Sequence, residues 1–118
     1  NTSIFLLPIP IAGKRKKRRG YNQTELVGRY IQKMVPYIEY CEETLRRDID
    51  KTSQTKKTRA ERMQNIEGCF SVINPQKIRD NIVILLDDVT TTGATLSELQ
   101  NIIQKHNPKE VHLLTIAH

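Results

Sequence analysis

The chain has 118 residues, a formal net charge of +6 and 37% hydrophobic residues. This length suits one domain with a single hydrophobic core. No apolar run approaches the roughly 20 residues that a membrane-spanning helix needs, so we expect no contact with a membrane. A short apolar run at residues 4–7 is interrupted by Pro8 and Pro10 and does not fit a signal peptide. The excess of positive charge favours anionic partners such as phosphates, nucleotides or nucleic acid.

The two cysteines, Cys41 and Cys69, have no second cysteine or histidine at metal-ligand spacing. We therefore expect no zinc site in this chain and interpret both thiols as small hydrophobic side chains in a reducing cytoplasm. The positive charge lies mainly in two segments, residues 14–19 and residues 46–62, which hold most of the 19 Lys and Arg residues. Both segments are expected to be loops in large part.

The first half of the chain predicts a strand at residues 4–7 and a helix that begins with a capping box at residues 22–25 and ends before Pro36. Apolar residues at helical spacing predict which face of this helix is buried; they are Leu26, Val27, Tyr30, Ile31, Met34 and Val35. A strand is expected at residues 42–46, followed by a mobile loop at residues 48–57 that lacks periodicity. A second capping box at residues 58–61 opens a short helix, and a short strand follows at residues 69–72.

The second half predicts a strand covered on both faces at residues 82–86, because its apolar run is continuous. A third capping box at residues 95–98 begins a helix whose apolar face includes Leu99 and Ile103. A final strand is expected at residues 111–117. Alternation of strands and helices predicts an α/β fold with a mainly parallel sheet flanked by helices.

The strongest chemical signal is the segment between the strand at residues 82–86 and the following helix. Asp87 and Asp88 end the strand at the edge where open α/β sheets bind ligands. The next segment supplies hydroxyl and backbone donors at a helix N-terminus, which suits a phosphate; it consists of Val89, Thr90, Thr91, Thr92, Gly93, Ala94 and Thr95. Carboxylates repel a phosphate but suit nearby hydroxyl groups or a metal ion. The segment therefore predicts a site for a ribose 5-phosphate.

Two other interpretations of this segment remain. The acidic pair could be solvated and the threonine-rich turn could only cap the helix. An apolar strand that ends in two aspartates is also typical of ATPases. The chain, however, has no glycine-rich loop ending in Gly-Lys-Ser or Gly-Lys-Thr, so an ATPase is disfavoured. The chain also lacks the glycine-rich motif G-x-G-x-x-G that is typical of dinucleotide-binding folds.

Three blocks of the sequence resemble one known family. VILLDDVTTTGATL is similar to the signature of type I phosphoribosyltransferases. LLPIPIAGKRKKRRGYNQTEL and RRDIDKTSQTKKTRAERMQNIEGCF resemble, in the same order, two further blocks of the ComF family within that class, with Tyr21 where the family usually has Phe. The resemblance implies one phosphoribosyltransferase-like domain over residues 1–118. It also implies a link to DNA uptake in naturally competent bacteria.

The resemblance implies a reaction and a role for each block. Type I enzymes bind phosphoribosyl pyrophosphate with Mg²⁺ and displace pyrophosphate from ribose with a nitrogen base. Asp87 and Asp88 would be the catalytic pair, holding the ribose hydroxyls directly or through the water shell of Mg²⁺, and the segment from Val89 to Thr95 would hold the 5-phosphate. The pyrophosphate is expected at Pro10, Arg18 and Arg19. Residues of a lid or its surroundings are Lys51, Gln54, Arg59 and Arg62.

Several alternatives stay open at this point. The run at residues 14–19 could be a solvated charge patch, and Arg59 and Arg62 could belong to a helix stabilised by its own ion pairs. The protein could be an active transferase, a non-catalytic phosphoribosyl-binding module, or a nucleic-acid-handling accessory with weak, salt-sensitive contacts; competence-machinery proteins are further possible partners. The chain begins at Asn1 rather than Met. We therefore expect a longer protein, whose N-terminal zinc-binding segment, typical of the family, lies outside this chain.

Overall fold

The computed structural model describes residues 2–10, 23–47, 70–88 and 93–116. The elements in chain order are strand β1 (Ile4–Pro8), helix α1 (Gln23–Met34), strands β2 (Ile38–Tyr40), β3 (Leu45–Arg47) and β4 (Phe70–Val72), a 3₁₀ turn (Pro75–Lys77), strand β5 (Ile82–Asp88), helix α2 (Gly93–Gln104) and strand β6 (Glu110–Ile116). No helix in these ranges is long and apolar enough to span a bilayer.

The main sheet is parallel and has the strand order β2-β1-β5-β6. Helix α1 connects β1 to β2, and α2 connects β5 to β6, as parallel neighbours require. Strands β3 and β4 form a separate antiparallel pair. The predicted α/β class with a mainly parallel sheet flanked by helices is confirmed.

The hydrophobic core lies between α2 and one face of the sheet. Side chains alternate between the two faces of a strand, and the odd-numbered residues Phe5, Leu7, Val83 and Leu85 all belong to the core cluster. Helix α2 contributes Leu99 and Ile103, which are fully buried as the sequence predicts. Strand β5 is central in the sheet, and it has buried side chains on both faces, such as Leu85 on one and Leu86 on the other. Burial of both faces accounts for its continuous apolar run.

Helix α1 packs differently from the sequence expectation. Its fully buried positions are Thr24 and Gly28, whereas Leu26, Tyr30 and Met34 of the predicted core face are 53%, 62% and 60% exposed. The remaining members of that face are half-buried. The reason is space, because a Cβ at Gly28 would overlap the ring of Tyr40 on β2. Small residues let the helix backbone approach the sheet, so the apolar stripe turns outward.

Other boundaries also differ from the expectations. Helix α2 begins at Gly93 rather than at a cap formed by Thr95, which instead lies buried in the first turn. Strand β3 covers residues 45–47 instead of 42–46, and β2 was not predicted. Short elements such as these depend on strand pairing more than on local pattern. The expected loop at residues 48–57 and the helix opened at residues 58–61 lie outside the described residues.

Candidate functional site

The carboxyl ends of β1 and β5 meet at one edge of the sheet. The two strands pair in parallel up to Pro8 and Leu86, and the backbone N–H of Ile9 then donates to the carbonyl of Leu86 at 3.0 Å. Pro10 follows directly, so the start of the predicted pyrophosphate loop runs beside the residues that lead into Asp87. This edge is where ligands bind in open α/β sheets.

Asp87 is a buried carboxylate at this edge. Its side chain is only 3% exposed, and its position in the strand places it on the face shared by Val83 and Leu85. Among the described residues, the Oδ1 atom of Asp87 has no hydrogen-bond partner. A buried carboxylate oxygen is costly to leave without a donor. This oxygen therefore fits a group that supplies one, such as a sugar hydroxyl or a metal-bound water.

The first turn of α2 follows Asp87 and Asp88 in the chain. Gly93 and Ala94 are exposed and Thr95 is buried. A Cβ added at Gly93 would meet no atom of the described chain within 4 Å, so internal packing there does not require glycine. The N–H groups in the first turn of a helix lack helical partners and attract anions.

The structure leaves several predicted site residues outside its described part. These are Val89, Thr90, Thr91, Thr92, Arg18, Arg19, Lys51, Gln54, Arg59 and Arg62, together with the side chain of Asp88. Asp87, Pro10, Gly93, Ala94 and Thr95 are the predicted residues that it describes. It brings Pro10 and Asp87 to one edge of the sheet and places the other three in the helix that follows β5.

A second polar cluster lies at the carboxyl end of β2. The ammonium group of Lys77 donates to Glu39 Oε2 at 3.3 Å and to Cys41 Sγ at 3.2 Å, and the thiol of Cys41 donates to Glu39 at 3.3 Å. Lys77 Nζ also lies 5.5 Å from the centre of the Phe5 ring. The sequence offered no signal for this cluster, because Lys77 is 36 residues from Cys41 and only folding joins them.

The environment of this cluster changes its acid–base properties. Burial raises the pKa of the Cys41 thiol, although the neighbouring Lys77 acts in the opposite direction. The hydrogen bonds from Cys41 and Lys77 lower the pKa of Glu39, and those to Cys41 and Glu39 raise the pKa of Lys77. Cys41 is therefore protonated at neutral pH and takes part in hydrogen bonds, whereas the sequence predicted only a small hydrophobic side chain.

The cluster opens into a cleft of about 310 Å³ beside α1. Arg29 of α1 binds Glu42 at 3.0 Å and Glu25 at 3.3 Å, and it lies 5.8 Å from the centre of the Tyr40 ring. Burial raises the pKa of Tyr40 above its usual value. Two cationic side chains and three glutamates line the cleft, so it does not attract anions as a whole. Within the described chain, no group of three or more His, Cys, Asp or Glu side chains could hold a metal ion.

Comparison with known proteins connects this architecture to a family. The chain is similar to Competence protein F of Haemophilus influenzae, with 28% identity over 113 residues that cover 95% of this chain and 49% of the relative. It is 36% identical to Competence protein ComFC of Bacillus subtilis over 95 residues, 79% of this chain and 35% of the relative. It is 22% identical to DNA utilization protein YhgH of Escherichia coli over 108 residues, 92% of this chain and 46% of the relative.

The chain thus spans about half the length of these relatives or less. No solved structure matches it with significance. The relatives confirm the resemblance to the ComF family that the three sequence blocks indicated. The family model for the phosphoribosyl transferase domain matches residues 7–118, which includes the parallel sheet and the segment after β5. The chain therefore belongs to the phosphoribosyl transferase domain family.

Proposed function

We propose that this domain binds phosphoribosyl pyrophosphate with Mg²⁺ at the carboxyl edge of β1 and β5 and transfers the phosphoribosyl group to a nitrogen base. The observation that carries the proposal is Asp87, whose buried Oδ1 atom has no partner among the described residues. The family match supports a ligand of this class. The hydroxyls of a ribose 5-phosphate suit carboxylate acceptors, and its phosphate suits the N–H donors of a helix N-terminus. Along the chain, the carboxylate at the end of β5 comes first and the N-terminus of α2 follows.

Each part of the site has a distinct physical task in this proposal. Asp87 accepts a hydrogen bond from a ribose hydroxyl or a metal-bound water, and its negative charge favours the positive charge that develops on the sugar ring. The exposed start of α2 at Gly93 offers backbone donors to the 5-phosphate. Mg²⁺, which suits oxygen ligands of this kind, would neutralise part of the charge of the pyrophosphate. Pro10 begins the segment that is proposed to contact that group.

Calorimetry with phosphoribosyl pyrophosphate and Mg²⁺ tests donor binding. In Asp87→Asn the lost charge should weaken binding by about 10-fold to 100-fold, since a hydrogen bond to a charged group contributes about 1.5–3 kcal/mol. The double change with Asp88→Asn should abolish it. Asp80→Asn is the matched control, because Asp80 is an exposed aspartate that precedes β5 at the opposite edge. Unchanged affinity in the double variant would show that Asp87 and Asp88 do not bind the donor.

A second measurement separates binding from catalysis. Pyrophosphate release is followed with the donor and a panel of nitrogen bases. We expect release with at least one base and its loss in Asp87→Asn. Donor binding without turnover on any base would instead favour the non-catalytic phosphoribosyl-binding module.

A role in handling DNA is the second candidate. The observations that favour it are the names of the relatives, two of which are competence proteins and one a DNA utilization protein, and the net charge of +6. We propose weak contacts with DNA phosphates that do not depend on base sequence. The logarithm of the binding constant should then fall linearly with the logarithm of salt concentration. Asp87→Asn should leave this binding intact, whereas its loss in that variant would tie DNA contact to the ribose-phosphate site.

A further inference from the structure

Strand β2 lies at one edge of the main sheet and, among the described strands, pairs only with β1. The N–H group of Cys41, just after β2, donates to the carbonyl of Leu6 at 3.0 Å and therefore points toward β1. Successive residues of a strand direct their backbone groups to opposite sides. The N–H groups of Ile38 and Tyr40 therefore point away from β1, toward the edge. Unpaired donors on an edge strand are a template for the addition of another strand.

Both outward N–H groups of β2 already have partners within the same chain. The N–H of Ile38 donates to the carbonyl of Val35 at 3.0 Å, which is a turn hydrogen bond. The N–H of Tyr40 donates to Oε1 of Gln32 at 2.6 Å. Gln32 is an exposed residue of α1. A glutamine amide oxygen accepts hydrogen bonds as a peptide carbonyl does, so Gln32 occupies the acceptor position that an adjacent strand would use.

The close approach of α1 to the sheet accounts for the reach of Gln32. Gly28 lies against the ring of Tyr40, and a Cβ at this position would overlap the ring. Gln32 follows four residues later, about one helical turn, and so lies on the same side of α1 as Gly28. The contact at Gly28 therefore sets the distance between the helix and β2, and a side chain of glutamine length spans what remains of it.

We propose that Gln32 is an edge guard, a side chain that closes β2 against the addition of a further strand. The guard depends on one exposed side chain, so rotation of Gln32 uncovers the N–H of Tyr40 without any change in the fold. A strand that pairs with β2 must first displace this side chain. The contact lies on the outer side of β2, whereas Asp87 lies on β5, so the inference does not depend on the proposed function.

Amide hydrogen exchange of the 118-residue chain, followed by NMR, tests the hydrogen bond of the Tyr40 N–H. Gln32→Met removes the acceptor but keeps the length and helix propensity of the side chain. Tyr40 should then exchange about 3-fold to 10-fold faster, as expected for the loss of one hydrogen bond. Cys41, whose N–H donates to β1, is the internal reference and should keep its rate. Gln32→Glu retains an acceptor oxygen and should keep Tyr40 protected. Gln100→Met is the matched control, because Gln100 is an exposed glutamine of α2.

Sedimentation velocity over a range of concentrations tests whether the guard keeps strands away from β2. Gln32→Met should shift toward larger species than the parent, because an uncovered edge can pair with the edge of another copy. Gln32→Glu and Gln100→Met should sediment as the parent does. An unchanged exchange rate of Tyr40 in Gln32→Met overturns the proposal. An equal rise in the rate of Cys41 also overturns it, since general destabilisation would explain both rises, and so does sedimentation of Gln32→Met that matches the parent at every concentration.

Discussion

Gly28 shows how one residue controls the position of a helix. Its missing side chain allows α1 to lie against the ring of Tyr40, and the helix then contacts β2, β1 and β5. The local sequence does not predict this close contact, because glycine inside a helix normally destabilises the helix. The residue therefore has a packing role that becomes visible only with Tyr40 in place.

Substitution at Gly28 should show this constraint. We expect Gly28→Ala to lower the free energy of unfolding by about 1–2 kcal/mol, since the overlap with Tyr40 outweighs the better helix propensity of alanine. Urea unfolding measures the change. Gly93→Ala meets open space and should stay within about 0.5 kcal/mol of the parent. In a Tyr40→Ala background, Gly28→Ala should become neutral or stabilising, and persistence of the loss there would contradict the role of the ring.

Cys41 allows a second prediction at the scale of one residue. Burial raises the pKa of its thiol, and alkylation requires the thiolate. In a Cys69→Ser background, iodoacetamide should therefore label Cys41 slowly at neutral pH, with a rate that rises only above the ordinary range of thiol titration. Lys77→Met should slow labelling further, because the Lys77 ammonium lowers the pKa of the thiol. Mass spectrometry over a pH series measures both, and faster labelling in Lys77→Met would contradict the assignment.

At the scale of elements, the two helices use their apolar residues in opposite ways. Helix α2 buries Leu99 and Ile103 completely, as its periodicity predicts. Helix α1 has a similar pattern but buries Thr24 and Gly28. Periodicity identifies an apolar stripe on a helix. Packing against the neighbouring strands determines whether that stripe or another side of the helix is buried.

Truncation of leucine on each helix should measure this difference. Leu99→Ala should cost about 2–5 kcal/mol of unfolding free energy, because it empties a fully buried position. Leu26→Ala, which removes the same atoms from a side chain that is 53% exposed, should cost less than about 0.5 kcal/mol in the monomer. Chemical denaturation at low protein concentration measures both. A large loss in Leu26→Ala would mean that the exposed apolar side of α1 belongs to the core of the single chain.

At the scale of the whole molecule, ligand binding and folding stability are linked. If the sheet edge binds phosphoribosyl pyrophosphate only in the folded state, the ligand stabilises the fold by mass action. At a ligand concentration about 100 times the dissociation constant, the gain should be about 2.7 kcal/mol. Thermal unfolding with Mg²⁺ and the donor should show a higher Tm in the parent and in Asp80→Asn. Asp87→Asn, whose binding is expected to be about 10-fold to 100-fold weaker, should keep only about 0.4–1.4 kcal/mol of this gain and show a smaller shift. An equal shift in that variant would place the ligand elsewhere.

Local patterns in the sequence were sufficient to predict the fold class, and they predict a ribose 5-phosphate site in one segment. Both follow from local information, because the buried strand, the two aspartates and the threonine-rich turn are contiguous from residue 82 to residue 95. The start and end of α1 were also predicted within a residue, since a capping box and Pro36 mark them. Family resemblance came from three blocks in a fixed order and did not require any knowledge of contacts.

The folded structure, in contrast, determines which surfaces meet. It placed Pro10 beside the end of β5 through the pairing of β1 with β5, and it showed Asp87 buried with an unpartnered oxygen among the described residues. It joined Lys77 to Cys41 across 36 positions and turned the apolar stripe of α1 outward. These features depend on contacts between residues distant in the chain, and local patterns carry no record of such contacts.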